Sequence, residues 1–171
     1  DSRTRIDMGG DADRTVTSQR ATIGATWGGS DWGIHVSSDL NYTLGVTGEV
    51  GMDIYEAYAS TDLMGYASLT AGRQALNYGS GMHIGSNDWG ADRNTRDGFT
   101  FGLDLDMADV TIGYANANLG GDSDEDNGNM HMNIGGEFSG WNVNFLYMTQ
   151  TVGGDQGDAA AREKLAFLSK M

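Results

Sequence analysis

The sequence contains no cysteine and no proline, and its 171 residues include only 10 Lys or Arg against 24 Asp or Glu. Without cysteine there is no disulfide framework and no thiolate metal site, although compartment stays open. Without proline, every backbone N–H of an extended segment can enter a hydrogen-bonded ladder. A net charge of -14 leaves too few basic clusters for phosphate contacts, so nucleic acid is not expected as a partner. No apolar run approaches the ~20 residues of a membrane helix. A secretory leader is absent at Asp1, which implies a mature or trimmed chain if the protein is exported.

Alternation is what the chain has instead. Trp141, Val143, Phe145 and Tyr147 fall on every second residue, as do Phe99, Phe101, Leu103 and Leu105. Val110, Ile112, Tyr114 and Trp32, Ile34, Val36 repeat the pattern. Successive strand side chains point to opposite faces, so each segment presents one apolar and one polar or glycine-rich face. The pattern predicts extended segments at Ser2–Asp7, Thr15–Trp27, Trp32–Leu40, Asp53–Ser60, Tyr66–Gln74, Gly98–Asp104, Val110–Asn118, Met130–Phe138 and Trp141–Thr151. Tight links at Gly28–Asp31, Thr61–Gly65, Leu105–Asp109 and Ser139–Gly140 alternate with mostly longer ones at Gly9–Arg14, Asn41–Met52, Ala75–Asp97 and Leu119–Asn129. Such alternation is expected of antiparallel strands crossing a membrane. The fold expected is all-β: an antiparallel up-and-down transmembrane β-barrel, either part of a larger barrel or a small one of about eight to ten strands. Hydrophobic content of 39% fits, because a barrel wall is apolar on one face only. A soluble β-sandwich with the same rows buried is the competing architecture.

Within that expectation residues 1–151 are barrel strands and loops, and residues 152–171 are a loop or short helix, or the start of the next strand. The tail segment AAAREKLAFLSK is rich in helix formers. Nine strands and a terminal Met171 point toward a larger barrel, since single-chain barrels usually have an even strand count. The hairpin Asp53–Gln74 has a weak apolar face, with Ala57, Ala59, Ala67, Ala71 and Gly72. Trp27, Trp32, Tyr66, Phe138 and Trp141 flank the tight turns, where an aromatic girdle would meet lipid headgroups. Asp122, Asp124 and Asp126 alternate as calcium ligands can, but the following glycine and closing residue miss the EF-hand spacing; a solvated loop is expected.

The most distinctive stretch is Gly72–Gly98, GRQALNYGSGMHIGSNDWGADRNTRDG. Gly72, Arg73, Gln74, Tyr78, Gly79, Ile84, Gly85, Asp88, Trp89, Asp97 and Gly98 follow, in order, a motif of the alginate-export family of outer-membrane porins, which the chain resembles. Gln19-Arg20, Asp31-Trp32-Gly33 and Glu56-Ala57-Tyr58 extend the resemblance over roughly Ser2 to Leu105. It departs at Met82 and in the spacing of Arg93 and Arg96. Family members carrying alginate resemble a larger barrel with a cationic lumen. For this acidic chain the resemblance implies an outer-membrane diffusion channel, with the substrate open.

The loop Ala75–Asp97, at 23 residues, exceeds the usual loop range. Long barrel loops fold inward and narrow the pore, and fixed charges there set selectivity. Arg73, Asp88, Arg93, Arg96 and Asp97 are therefore the expected constriction residues, Arg73 pairing with Asp88 or Asp97, and Tyr78 and Trp89 the loop anchors. His35, Ser37 and Asp39 share a strand face, a geometry that suits a polar stripe and not a nucleophile–base chain. No pair of histidines has metal-ligand spacing, so neither catalysis nor a cofactor is expected. The reading is passive diffusion of small polar or charged solutes, saccharides among them, across a Gram-negative outer membrane. Lipid and lipopolysaccharide are the surroundings, within a larger membrane complex in one version. A structural or interaction barrel without an open pore is the alternative.

Overall fold

The computed structural model describes the backbone of residues 2–8, 15–44, 50–88, 93–117, 128–152 and 160–167. Side-chain surroundings are described for 18–44, 50–88, 93–116, 128–137 and 139–149. The strands are β1 (Ser2–Met8), β2 (Thr15–Gly28), β3 (Trp32–Thr43), β4 (Gly51–Leu63) and β5 (Ala67–Gln74). After the long loop come β6 (Arg96–Leu105), β7 (Ala108–Ala117), β8 (Gly128–Phe138), β9 (Trp141–Val152) and β10 (Ala160–Phe167). All belong to one antiparallel up-and-down sheet in sequence order. The sheet is not closed: β1 and β10 stand at its two ends and do not pair.

Turn chemistry sets the order. In the link between β8 and β9, Ser139 and Gly140 have φ of 53° and 78°. Two positive φ values define the type I′ turn, whose twist matches that of the flanking strands. Met64 and Gly65 do the same between β4 and β5, and the Gly65 N–H is held by the Asp62 carboxylate. Connections at this end have two or three residues, while those at the other end have six or more. The tail that reads as helix-forming is β10, with Leu165 and Phe167 opposite Tyr147 and Phe145. Open backbone groups along β9 outweigh a helix propensity worth only tenths of a kcal/mol per residue.

Register divides the sheet into two faces of opposite character. One row runs Trp32, Thr61, Leu69, Phe101, Ile112, Met132, Tyr147, and its neighbour runs Leu63, Ala67, Leu103, Val110, Ile134, Phe145. This apolar face is uncovered: on β3 Trp32, Ile34 and Val36 are 54%, 41% and 39% accessible, while most of the two rows is half-buried by neighbours in the same sheet. On the alternate positions of the same strand Ser37 and Asp39 are 4% and 5% accessible. Arg20, Gln74, Asn129, His131 and Asn133 are also buried on the polar face. The sheet is thus turned inside out relative to a water-soluble core.

The ladder between β3 and β4 carries an irregularity. Ser37 pairs with Glu56 but Ser38 pairs with Ile54, which leaves Tyr55 as the extra residue of a β-bulge. The bulge sends two consecutive side chains, Tyr55 and Glu56, to the polar face. Gly72 is the second special position, with φ of +126° and space for a Cβ only 2.3 Å from the Ala57 carbonyl oxygen. Gly72→Ala is expected to lower stability by more than about 1 kcal/mol, read as a shift in urea midpoint.

Candidate functional site

Part of the polar face is covered by the segment joining β5 to β6, whose described residues 75–88 and 93–95 contact the sheet at two chemically different places. Its first half is apolar. Ile84 is fully buried against Leu146 and Met148, with Leu76 and Tyr78 packed beside them. Tyr78 and Ile84 are joined through the backbone at 3.0 Å, and the Asn94 N–H donates to the Ser86 carbonyl at 2.8 Å. Gly79 sits over β9, where a Cβ would lie 2.9 Å from the Asn144 amide oxygen. Burial pushes the Tyr78 hydroxyl up to about 12, while nearby Arg96 pulls the other way. The phenol therefore keeps its proton, and its oxygen is within hydrogen-bond distance of His131 Nε2 at 3.3 Å. Gly113 gives the buried His131 ring its room, since a Cβ there would come within 2.5 Å of it.

The second half is ionic. Arg93 Nε donates to Asp39 Oδ2 at 2.8 Å, and its Nη2 donates to the other Asp39 oxygen and to Thr22 Oγ1 at 3.0 Å. The guanidinium carbon lies 3.0 Å from the centre of the Tyr55 ring. Arg20 Nη2 donates to the Asp88 carbonyl at 2.8 Å, and Arg20 Nε lies 3.9 Å from Asp39. The Tyr55 hydroxyl donates to Asp88 Oδ1 at 3.4 Å, and Arg93 Nη1 is 4.0 Å from the same oxygen. Two arginines and two aspartates thus offset one another where the segment crosses β2, β3 and β4.

The segment's stems are fastened too. Glu56 accepts a hydrogen bond from the Ala75 N–H at 3.3 Å and stands 3.5 Å from His35 Nε2. Gln74 accepts from Thr100 Oγ1 at 2.9 Å. Arg73 makes a bidentate pair with Asp97, at 2.7 and 2.8 Å, directly across β5 and β6.

Of the residues expected together at a constriction, Arg93 and Asp88 meet on the polar face and Arg96 stands on that face beside the Tyr78–His131 pair. Arg73 pairs with Asp97, one of the two partners expected for it, but the pair is not on the polar face. They share the apolar face with Ala57 and Val36, because strand alternation puts them one step out of phase with Gln74. Tyr78 anchors the segment as expected; Trp89, Asp122, Asp124 and Asp126 lie outside the described residues. Trp27, Trp32 and Trp141 lie on the apolar face beside the short turns and Tyr66 is within one, while the Phe138 side chain is outside the described residues. His35, Ser37 and Asp39 share the polar face, yet they do not bond to one another. His35 Nδ1 is 2.8 Å from Thr26 Oγ1, and the buried Ser37 Oγ has no hydrogen-bond partner among the described residues. Among the described residues no group of three His, Asp or Glu could hold a metal ion. Sequence reasoning missed Asp39 as an ionic anchor, and Tyr55 and Glu56, which only the bulge brings together.

No family model matches the chain, and no curated protein sequence is significantly similar to it.

Proposed function

We propose that this chain forms wall strands of a β-barrel in a Gram-negative outer membrane, and that the barrel is a porin-like channel for passive diffusion of small polar or charged solutes. The observation that carries the reading is the exposed apolar face opposite a buried polar one. On β3 that face reads Trp32, Ile34, Val36, Ser38, Leu40, Tyr42. Ten steps of ~3.3 Å at a strand tilt of ~40° give about 25 Å along the barrel axis, the height of an outer-membrane apolar band. Trp32 and Tyr42 at its ends suit the two headgroup layers. Segment 75–95 is then an inward-folded constriction strap, and the Arg73–Asp97 pair clasps its stems from the lipid side. The alginate-export-like motif agrees with this role, since Gly72–Gly98 contains the strap.

Reconstitution into planar bilayers tests the proposal. Stepwise conductance is expected, and lipid insertion without conductance would contradict the channel. One observation favours a second reading, a structural barrel without an open pore: Ile84, Leu146 and Met148 make a buried apolar cluster beneath the strap. The same recording separates the two.

A further inference from the structure

Four arginines have described side chains, and three of them meet a carboxylate. Arg20 Nε stands 3.9 Å from Asp39, Arg93 is held by Asp39, and Arg73 is held by Asp97. Arg96 is the exception: among the described residues it has neither an ion pair nor a hydrogen bond. Register places it on the polar face, at the first position of β6, opposite Gln74 and Ala117. Gln74 is already committed to Thr100 and to the Gly72 and Gly98 carbonyls, and alanine has no polar side-chain group. The Tyr78–His131 pair stands beside the guanidinium, and neither ring brings a negative charge.

Arg96 is also half-buried. Taking a charge part-way out of water costs free energy that a counter-charge returns. Ionisable groups on the water-filled side of a membrane wall mark solute pathways. The guanidinium is a planar fork of N–H donors that matches a carboxylate at two points. Arg73 and Asp97 display that match in this chain, at 2.7 and 2.8 Å. Charge over the rest of the face limits what fits. Asp53, Asp62, Asp104, Asp109 and Glu137 stand on the same face, and among the described residues none pairs with an arginine. Such an excess of carboxylates repels dianions and polyanions, so Arg96 suits one negative charge at a time.

We propose that Arg96, with Tyr78 and His131 beside it, binds the carboxylate of small monocarboxylate solutes, and that such solutes are among those the channel passes. Passage rests on the channel reading, whereas binding does not. A single local site also departs from the cationic lumen that the family resemblance implies.

Saturation-transfer NMR of lactate with the protein folded in detergent micelles tests it, with lactamide as the uncharged counterpart. Saturable lactate binding is expected, at least about tenfold tighter than that of lactamide, the size of one charge-assisted hydrogen bond. Arg96→Gln removes the difference, and Arg96→Lys, which keeps the charge without the fork, retains part of it. Raising NaCl from about 0.1 to about 1 M shortens the Debye length from about 10 to about 3 Å and weakens lactate binding in the unaltered protein. That readout needs no variant to fold. Equal binding of lactate and lactamide, or a difference that survives in folded Arg96→Gln, overturns the site. So does lactate binding that appears only in the variant Asp122→Asn, Asp124→Asn, Glu125→Gln, Asp126→Asn, since Arg96 would then take a carboxylate of its own chain. Conductance without lactate binding overturns the site and leaves the channel standing. Lactate binding without conductance upholds the site and removes the passage.

Discussion

Val36→Arg is expected to destabilise the bilayer-folded protein by about 2–4 kcal/mol, the cost of an unpaired cation on the lipid face near the membrane midplane, whereas Arg73 in the same row is neutralised by its bidentate pair with Asp97. Val36 lies near the centre of the β3 apolar row, two outward positions from Trp32 and three from Tyr42. The same substitution at Trp32 or Tyr42 is expected to cost only about 0–1 kcal/mol in charge placement, because the guanidinium reaches the headgroups. A sheet whose apolar face meets water makes the opposite forecast: arginine at an exposed position changes stability by no more than about 0.5 kcal/mol at any depth. Urea titration of the three variants in lipid vesicles reads the depth profile directly.

Arg93→Ala is the second large effect. It leaves the Asp39 carboxylate buried beside Thr22 without its main partner, and removing one member of a buried pair costs about 3–5 kcal/mol. The strap also loses its hold on the Tyr55 ring, so channel conductance is expected to rise as stability falls. The double variant Arg93→Ala, Asp39→Asn recovers part of the stability, since no uncompensated charge is left behind. It does not restore the conductance, because the strap stays unpinned. An unfolding midpoint and conductance of Arg93→Ala equal to those of the unaltered protein would show that the pair does not anchor the strap.

Much of the architecture is written in the period-2 rows. Trp32, Ile34, Val36 and Phe99, Phe101, Leu103 announce both the strands and the face they share, and Ser139-Gly140 announces its own turn. Strand ends are harder to read: β4 begins at Gly51 and continues through Thr61–Leu63, where small and polar residues still join the ladder. The facing of Arg73 is legible in principle, because it shares parity with Leu69 and Ala71. Its charge and its place beside the long loop suggest the lumen instead, but strand alternation and the pairing with Asp97 decide the matter.

Other features have no local signature. The bulge at Tyr55 exists because the ladder between β3 and β4 slips by one residue, and no composition of either strand encodes the slip. Arg93 and Asp39 are 54 residues apart, and they meet only because the strap folds back over β3. The buried state of His131 depends on the space above Gly113 on the neighbouring strand. Pairings of this kind arise from tertiary packing, which overrides whatever the neighbouring residues prefer.

A nitroxide scan along β3, residues 32 to 43, in vesicles is the most direct measurement. Collision with oxygen, which concentrates in the acyl chains, should peak at positions 32, 34, 36, 38, 40 and 42. Collision with a water-soluble nickel complex should stay low at 34, 36, 38 and 40. Labels at 34 and 36 that meet nickel freely, or that collide with neither reagent, would mean that this face touches water or a second layer of protein, and the lipid-facing wall would be wrong.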